Sequence, residues 1–340
     1  MRPPVLRQWL ACEISRKCHR NGPRKARKGV KRQNKVGMAV NRVLPVLISA
    51  VASGLAQPAS LAPLLARVTD EATAFEHGIV KTLAEETLEQ SVVMGPPRFQ
   101  PRAGQQPAKP PRPRTRKRVI VSEYSVVTLK KSGSKDLVEF RQVISVDGAA
   151  IQTQASARHA LSTTVLSDGD RARKRMLENF ASYGLVDIAT DYGLILLAFS
   201  KPGLARMQFT EEAETTLEGV AVRSIAWKQT SGVGGELEFH GRQAARLPLS
   251  GRLLVRRSDL LPLRVEVWAE DTAGKQKIRD EATVGYLQSG HGFLTPAEVV
   301  HRHLVDGNVT AENRYTYKMF RLFQADAEIE YETGSGGKKK

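Results

Sequence analysis

Residues 262–269, PLRVEVWA, decide the fold class, because apolar and charged side chains alternate along them. Leu263, Val265 and Val267 fall on one face of an extended chain, and Arg264 falls on the other. A turn-forming stretch, DTAG at 271–274, follows within two residues. This pattern predicts one strand of an antiparallel sheet with a single apolar side.

The same period of two recurs through most of the chain after residue 118. In residues 311–323, for example, Tyr315 and Tyr317 alternate with polar residues. Further strands are predicted at 119–129, 137–146, 205–210, 219–228, 236–241, 251–257, 275–286, 296–304 and 327–332. Residues 85–93 fit a helix end and a strand equally well. Long strands joined by short turns predict a mainly β (α+β) fold: an incurved antiparallel sheet or half-barrel.

Two helical patterns supply cover for the concave face of such a sheet. Apolar residues recur at helical spacing over 60–77, with Ser60 as N-cap and Gly78 as the C-terminal signal, and a second helix is predicted over 168–184. Residues 188–199, IATDYGLILLAF, are strongly apolar but too short to span a bilayer. They predict a buried helix or strand.

The concave face is either a ligand-binding hollow or an ordinary packed core, and the sequence leaves both open. In the hairpin 119–146, Val138 and Phe140 alternate with Glu139 and Arg141, which predicts one buried side. If a hollow exists, the predicted ligand-facing residues are Val138, Phe140, Ile144, Val265, Val267, Tyr315 and Tyr317.

The net charge of +17 is concentrated in three segments. Residues 1–42 carry +12, residues 95–118 carry +8, and the last three lysines carry +3, which leaves the remaining residues at −6. Residues 95–118 contain seven prolines and no acid, so they predict an extended linker that could contact an anionic envelope surface. A solvated loop that makes no such contact is the favoured alternative for this segment. Nucleic-acid binding through the basic arm is a disfavoured alternative, because the remainder of the chain is acidic.

Residues 43–56, VLPVLISAVASGLA, form an apolar run that ends in small residues, as secretory signal peptides do. Cleavage is predicted after Ala56, and Met38 is an alternative start. Cys12 and Cys18, the two cysteines, would leave with this leader. We therefore expect a periplasmic or secreted protein without a transmembrane segment in its mature form. The predicted organisation is a leader at 1–56, a helical segment at 57–94, a linker at 95–118, the β domain at 119–332 and a tail at 333–340.

Residues 64–332 resemble a group of uncharacterised exported bacterial proteins. The resemblance depends on LAEETLEQ at 83–90, FRQV at 140–143, VDG at 146–148 and residues 251–270. The closing strand, YKMFRLF at 317–323, is similar to the last strand of the outer-membrane lipoprotein carriers. That family implies a sheet with helices on a concave face that holds acyl chains. It also implies a lipid or lipoprotein partner.

Catalytic patterns are weak in this sequence. His301 and His303 would share one face of a strand, but two histidines without a third ligand are more often core or surface residues. The run GVGG at 232–235 lacks the lysine and the helix that a phosphate-binding loop requires. We therefore expect no catalytic residue, no cofactor and no metal. An exported binding protein is favoured, with a nucleic-acid-binding protein and an undetected hydrolase as the alternatives.

Overall fold

A computed structural model describes residues 61–95, 113–131, 134–166, 169–230 and 248–322. All of them belong to one compact unit, Leu55–Lys340, whereas the other unit, Met1–Gly54, lies outside the described residues. The predicted leader, the strands at 236–241 and 327–332, and the GVGG turn also lie outside them.

The described residues form one 12-stranded antiparallel sheet that is not closed into a barrel. Its order is β4-β3-β2-β1-β12-β11-β10-β9-β8-β7-β5, with β6 paired to β7. The strands are β1 (Thr82–Met94), β2 (Arg114–Lys131), β3 (Ser134–Val146), β4 (Ala149–Ala150), β5 (Met207–Glu211), β6 (Thr215–Leu217), β7 (Val220–Gln229), β8 (Ser250–Arg256), β9 (Pro262–Ala273), β10 (Gln276–Gln288), β11 (Leu294–Val305) and β12 (Asn308–Leu322). The prediction of an incurved, mainly β fold with helices on the concave face is confirmed.

The helices are short by comparison with the sheet. They are α1 (Ala62–Ile79), α2 (Gln154–Leu166), α3 (Gly169–Ser182), a 3-10 helix (Tyr192–Phe199) and α4 (Lys201–Leu204). No helix among the described residues combines the length and the apolar character needed to cross a membrane.

The two faces of the sheet are covered differently. We call the concave face, which carries Glu86, Arg141, Tyr315 and Val265, the inner face; α1 and the 3-10 helix lie on it. On the opposite, outer face, α2 packs over β2 and β3, and no other described helix covers that face to a comparable extent. There the fully buried Glu123 accepts hydrogen bonds from two side chains of α2.

Helix α1 buries the stripe that its sequence predicts. Leu64, Val68, Ala72 and Phe75 all have no exposed surface, since residues three or four apart share one face of a helix. The helix ends at Ile79, one residue past the predicted Gly78, and the Ser60 cap lies outside the described residues.

Several local features differ from the predictions or decide between alternatives. Residues 85–93 are part of β1, and β2 begins at Arg114, inside the predicted linker, because its first residues pair with the end of β1. Helix α2 has no counterpart in the sequence analysis. The prediction of one buried side for β3 is wrong: Glu139 and Arg141 are as buried as Val138 and Phe140, because both faces of β3 are covered.

Candidate functional site

Residues 184–199, which we call the plug, cross the inner face. The plug links α3 to α4 and ends in the 3-10 helix, with the sequence GLVDIATDYGLILLAF. Its residues Leu194, Ile195, Leu196 and Phe199 are buried against the sheet and α1. The predicted apolar segment at 188–199 is therefore a 3-10 helix with an extended lead-in. The concave face is filled by the chain itself.

The first half of the plug is held by polar side chains of β1 and β12 that bond to its backbone. Gln90 Nε2 donates to the Val186 carbonyl at 2.6 Å, and its Oε1 accepts from the Val186 amide at 3.1 Å. Asn313 Nδ2 donates to the Asp187 carbonyl at 2.8 Å. The Tyr315 hydroxyl donates to the Ala189 carbonyl at 2.8 Å. These bonds fix the plug's position without making it a strand of the sheet.

The 3-10 helix also takes hydrogen bonds from a side chain of the sheet. The Tyr286 hydroxyl of β10 donates to the Gly193 carbonyl at 3.0 Å and accepts from the Leu196 amide at 3.1 Å. A 3-10 run longer than three or four residues is uncommon because its hydrogen-bond geometry is poor. This run has eight residues. Its docking therefore depends on the sheet beneath it.

Beneath the 3-10 helix the inner face is apolar. The ring of Phe199 packs edge-on to that of Trp227, with centroids 5.6 Å apart. Gly251 lets the Trp227 ring lie against β8, since a Cβ there would come within 2.5 Å of that ring. The other buried apolar residues of this half are Phe209, Ile225, Leu253, Val265, Val267, Ala282 and Val284.

Beneath the plug's first half the inner face carries an ionic cluster of Glu86, Glu139 and Arg141. Arg141 Nε donates to Glu86 Oε1 and its Nη2 to Glu139 Oε2, both at 2.7 Å. The guanidinium carbon also lies 5.3 Å from the ring centroid of Tyr124 and 5.2 Å from that of Tyr315. Arg141 Nη1 has no hydrogen-bond partner among the described residues.

Burial dominates the electrostatics of this cluster. It raises the pKa of the Glu86 carboxyl, and the charge of Arg141 offsets that only in part. Arg141 stays protonated, because the attraction of Glu86 and Glu139 outweighs the cost of its burial and raises its pKa. The cluster therefore needs its single cation to hold two buried carboxyl groups.

A continuous chain of buried polar side chains connects β1 to β10. Gln90 Nε2 donates to Asn313 Oδ1 at 2.6 Å, and Asn313 Nδ2 donates to His301 Nδ1 at 3.1 Å. His301 Nε2 and His303 Nδ1 then both reach Asp280 Oδ1, at 3.2 and 2.9 Å. The two histidines share one face of the strand as predicted, and both belong to this series of hydrogen-bonded side chains. Within the described part of the protein no three His, Cys, Asp or Glu residues are grouped to hold a metal ion.

The predicted ligand-facing residues divide between the two faces. Four of them lie on the inner face: Val265 and Val267 on β9, and Tyr315 and Tyr317 on β12. Val138 and Phe140 lie on the outer face of β3, opposite Val127 and Ser125 of β2.

Ile144 is half-buried beside the β-bulge between β2 and β3, where its carbonyl accepts from the amides of Ile151 and Gln152. The structure therefore brings together only four of the seven predicted residues.

No protein-family model and no curated protein matches the sequence. Solved structures of three differently named proteins align with about three quarters of this chain at low sequence identity. An outer membrane lipoprotein-sorting protein domain from Vibrio parahaemolyticus aligns with TM-score 0.32 and 9% identity over 77% of this chain and 93% of that one. A LolA superfamily protein from Nitrosomonas europaea gives 0.29 and 8% over 76% and 93%. A DUF1329 family protein from Desulfovibrio piger gives 0.30 and 10% over 78% and 94%.

The residues that hold the plug have no signal in the local sequence. Gln90 and Asn313 are 223 positions apart and meet only in the folded sheet. Glu86 and Glu139 have no local signal, since isolated acidic residues in strands normally face water. Their burial becomes evident only in the folded sheet, where apolar residues of neighbouring strands lie beside them on the same face.

Proposed function

We propose that this chain is an exported, non-enzymatic protein that binds a hydrophobic ligand, a lipid or an acyl chain, on the inner face of its sheet. The ligand would take the place of the 3-10 helix over Val265, Val267 and Trp227. The observation that supports this best is the cover itself: a continuous apolar surface lies under an eight-residue 3-10 helix, an element with poor hydrogen bonding of its own.

The free energies allow such an exchange. Burying one Leu, Ile or Phe side chain stabilises a fold by about 1.5–3 kcal/mol, and the 3-10 helix of the plug buries four of them, so its apolar contacts contribute on the order of 10 kcal/mol. An acyl chain gains about 0.8 kcal/mol per buried CH2, so a laurate chain gains a similar amount. Ligand and plug are therefore matched competitors, and the ligand's affinity is the small difference between them.

Weakening the plug should strengthen ligand binding. In Gly193→Ala the new Cβ would lie 2.4 Å from Glu139 Oε1, an atom already held by the Tyr124 hydroxyl at 3.1 Å. We expect the variant to bind laurate about tenfold more tightly, the change produced by about 1.4 kcal/mol of lost plug stability. Native mass spectrometry and the fluorescence of Trp227 measure this binding.

The control for that experiment is Gly290→Ala, whose Cβ meets nothing within 4 Å, so its affinity should equal that of the wild type. If neither the wild type nor Gly193→Ala takes up any added lipid, the proposed function is wrong.

Export is a separate part of the proposal, and its support is the sequence of residues 43–56. The mature protein isolated from the native host should begin at Gln57 when its mass is determined. Such a chain has lost the +12 of residues 1–42 and both cysteines. An intact chain that starts at Met1 and remains in the cytoplasm would contradict the export prediction and favour a role for the basic arm.

An anionic envelope surface as partner of residues 95–118 also stays a proposal. At the described end of this segment, Arg114 and Lys117 are exposed, and the neighbouring Val93 and Met94 on β1 are exposed apolar residues. Cationic and apolar side chains side by side suit a lipid headgroup region. Arg116 is excluded from this role because it donates to the Gly184 carbonyl of the plug.

A further inference from the structure

The carboxylate of Asp191 occupies a defined anion site at the edge of the sheet. Its Oδ1 accepts a hydrogen bond of 2.7 Å from the backbone amide of Glu139, and its Oδ2 pairs with the guanidinium of Arg173 on α3. Both side chains are largely buried, at 11% and 15% exposed. The amide of Glu139 belongs to β3, and no strand of the described residues pairs with that edge of β3 at Glu139 to accept from it.

The plug backbone is strained where it delivers this carboxylate. Asp191 has φ 69° and ψ 6°, in the left-handed region that residues other than glycine rarely adopt. The strain is held by two contacts with one residue, since the Asp191 amide also donates to Glu139 Oε2 at 2.8 Å. The anion site thus fixes the position at which the 3-10 helix begins.

The segment immediately after Asp191 is uncharged. These eight residues, YGLILLAF, lie over the apolar half of the inner face for about 16 Å, at about 2.0 Å per residue. A single carboxylate next to a continuous apolar segment has the chemical pattern of a fatty acid. The plug therefore occupies the inner face with the same chemistry that an anionic amphiphile would bring.

We propose that the inner face binds a long-chain carboxylate, whose head takes the place of the Asp191 carboxylate on the Glu139 amide and Arg173, and whose chain takes the place of residues 192–199. This inference rests on the proposed function, since it specifies the head of a ligand whose chain was already placed there. It assigns Arg173 as the residue that selects the head.

The charges around the site favour one negative charge over two. Burial raises the pKa of Asp191 to about 6, with the carboxylate of Glu139 acting in the same direction and Arg173 opposing both. A second charge on the ligand head would face Glu139, and the nearest further cation among the described residues that pairs with Glu139, Arg141, is already shared between Glu86 and Glu139. A carboxylate therefore fits better than a phosphate.

The test compares laurate with dodecanol, which have the same chain length and differ in the head. Binding to the full chain is followed by the fluorescence of Trp227, with Trp9 and Trp268 replaced by phenylalanine so that one of the three tryptophans remains. The wild type should bind laurate at least tenfold more tightly than dodecanol. Arg173→Met should reduce that preference to about one by weakening laurate alone. The control is Lys174→Met, because Lys174 is on the same helix and its charge lies in solvent. This variant should leave the preference for laurate unchanged.

Asp191→Asn provides a second measurement if Arg173→Met does not fold, since asparagine tolerates the left-handed backbone and removes the competing charge. It should bind laurate several-fold more tightly than the wild type. Equal affinity of the wild type for laurate and dodecanol, unchanged in Arg173→Met or Asp191→Asn, would overturn the inference and leave the proposed function standing. Binding of neither compound to any variant would overturn the proposed function itself.

Discussion

Replacing Arg141 by methionine is expected to lower the free energy of unfolding by about 3–5 kcal/mol, the usual cost of removing one partner from a buried ion pair. The substitution keeps much of the side-chain volume between Tyr124 and Tyr315, but it leaves the carboxyl groups of Glu86 and Glu139 without a cation. Urea unfolding at neutral pH measures the loss.

The control for Arg141→Met is Arg257→Met. Arg257 pairs with Glu214 at 2.8 Å, but both side chains are more than half exposed, so the loss should stay below about 1 kcal/mol. Equal losses in the two variants would contradict the account of the ionic cluster.

The pH dependence of the Arg141→Met variant is set by the carboxyl groups it leaves behind. Burial already raises the pKa of Glu86 in the folded protein, and loss of the arginine raises it further. A group whose pKa is higher in the folded state binds more protons there than in the unfolded state, so the folded state gains stability as the pH falls. The deficit of the variant against the wild type should therefore shrink from about pH 8 towards about pH 5.

Replacing Phe199 by alanine is the second change with a large expected effect, about 3–5 kcal/mol. The ring has no exposed surface, lies between Phe209 and Trp227, and fixes the end of the plug, where the Thr69 hydroxyl of α1 also donates to its carbonyl at 3.2 Å. The cavity that the substitution leaves would lie at the contact between the plug and the sheet. We therefore also expect faster amide exchange through residues 192–199.

Leu287→Ala is the matched control, because Leu287 is a large apolar residue that is 64% exposed on β10. Its stability should stay within about 0.5 kcal/mol of the wild type, with no change in the plug's exchange. A Phe199→Ala variant as stable as this control would show that the plug is not part of the packed core.

The sequence predicts the strands well because most of them have one covered face, and alternation then reports burial directly. It predicts α1 for the same reason, at the helical period. It fails at β3, where α2 covers one face and the plug region covers the other, so that Phe140 and Arg141 are both buried and alternation carries no information. The sequence also predicts that residues 188–199 are a buried apolar segment, but it does not predict their 3-10 form.

The anchors of the plug could not be predicted for a different reason. Gln90, Asn313 and Tyr286 act on backbone groups about 90 to 126 positions away, and only the strand order of the sheet brings them to the same face. The identity of Asp191 and Arg173 as a site likewise depends on the edge of β3 at Glu139, which pairs with no strand of the described residues. Local sequence patterns indicate which face of a strand is covered. They do not indicate which distant segment covers it.

Hydrogen exchange of the plug with laurate bound tests the central claim most directly. The amides of Asp191 and Leu196 lie in the part of the plug that laurate would replace, and both bond to side chains of the sheet, so they should exchange slowly in the free protein. When native mass spectrometry shows laurate bound, the account predicts that these amides exchange faster while those of β9 and β10 stay protected. Bound laurate with unchanged or slower exchange through residues 191–199 would contradict it.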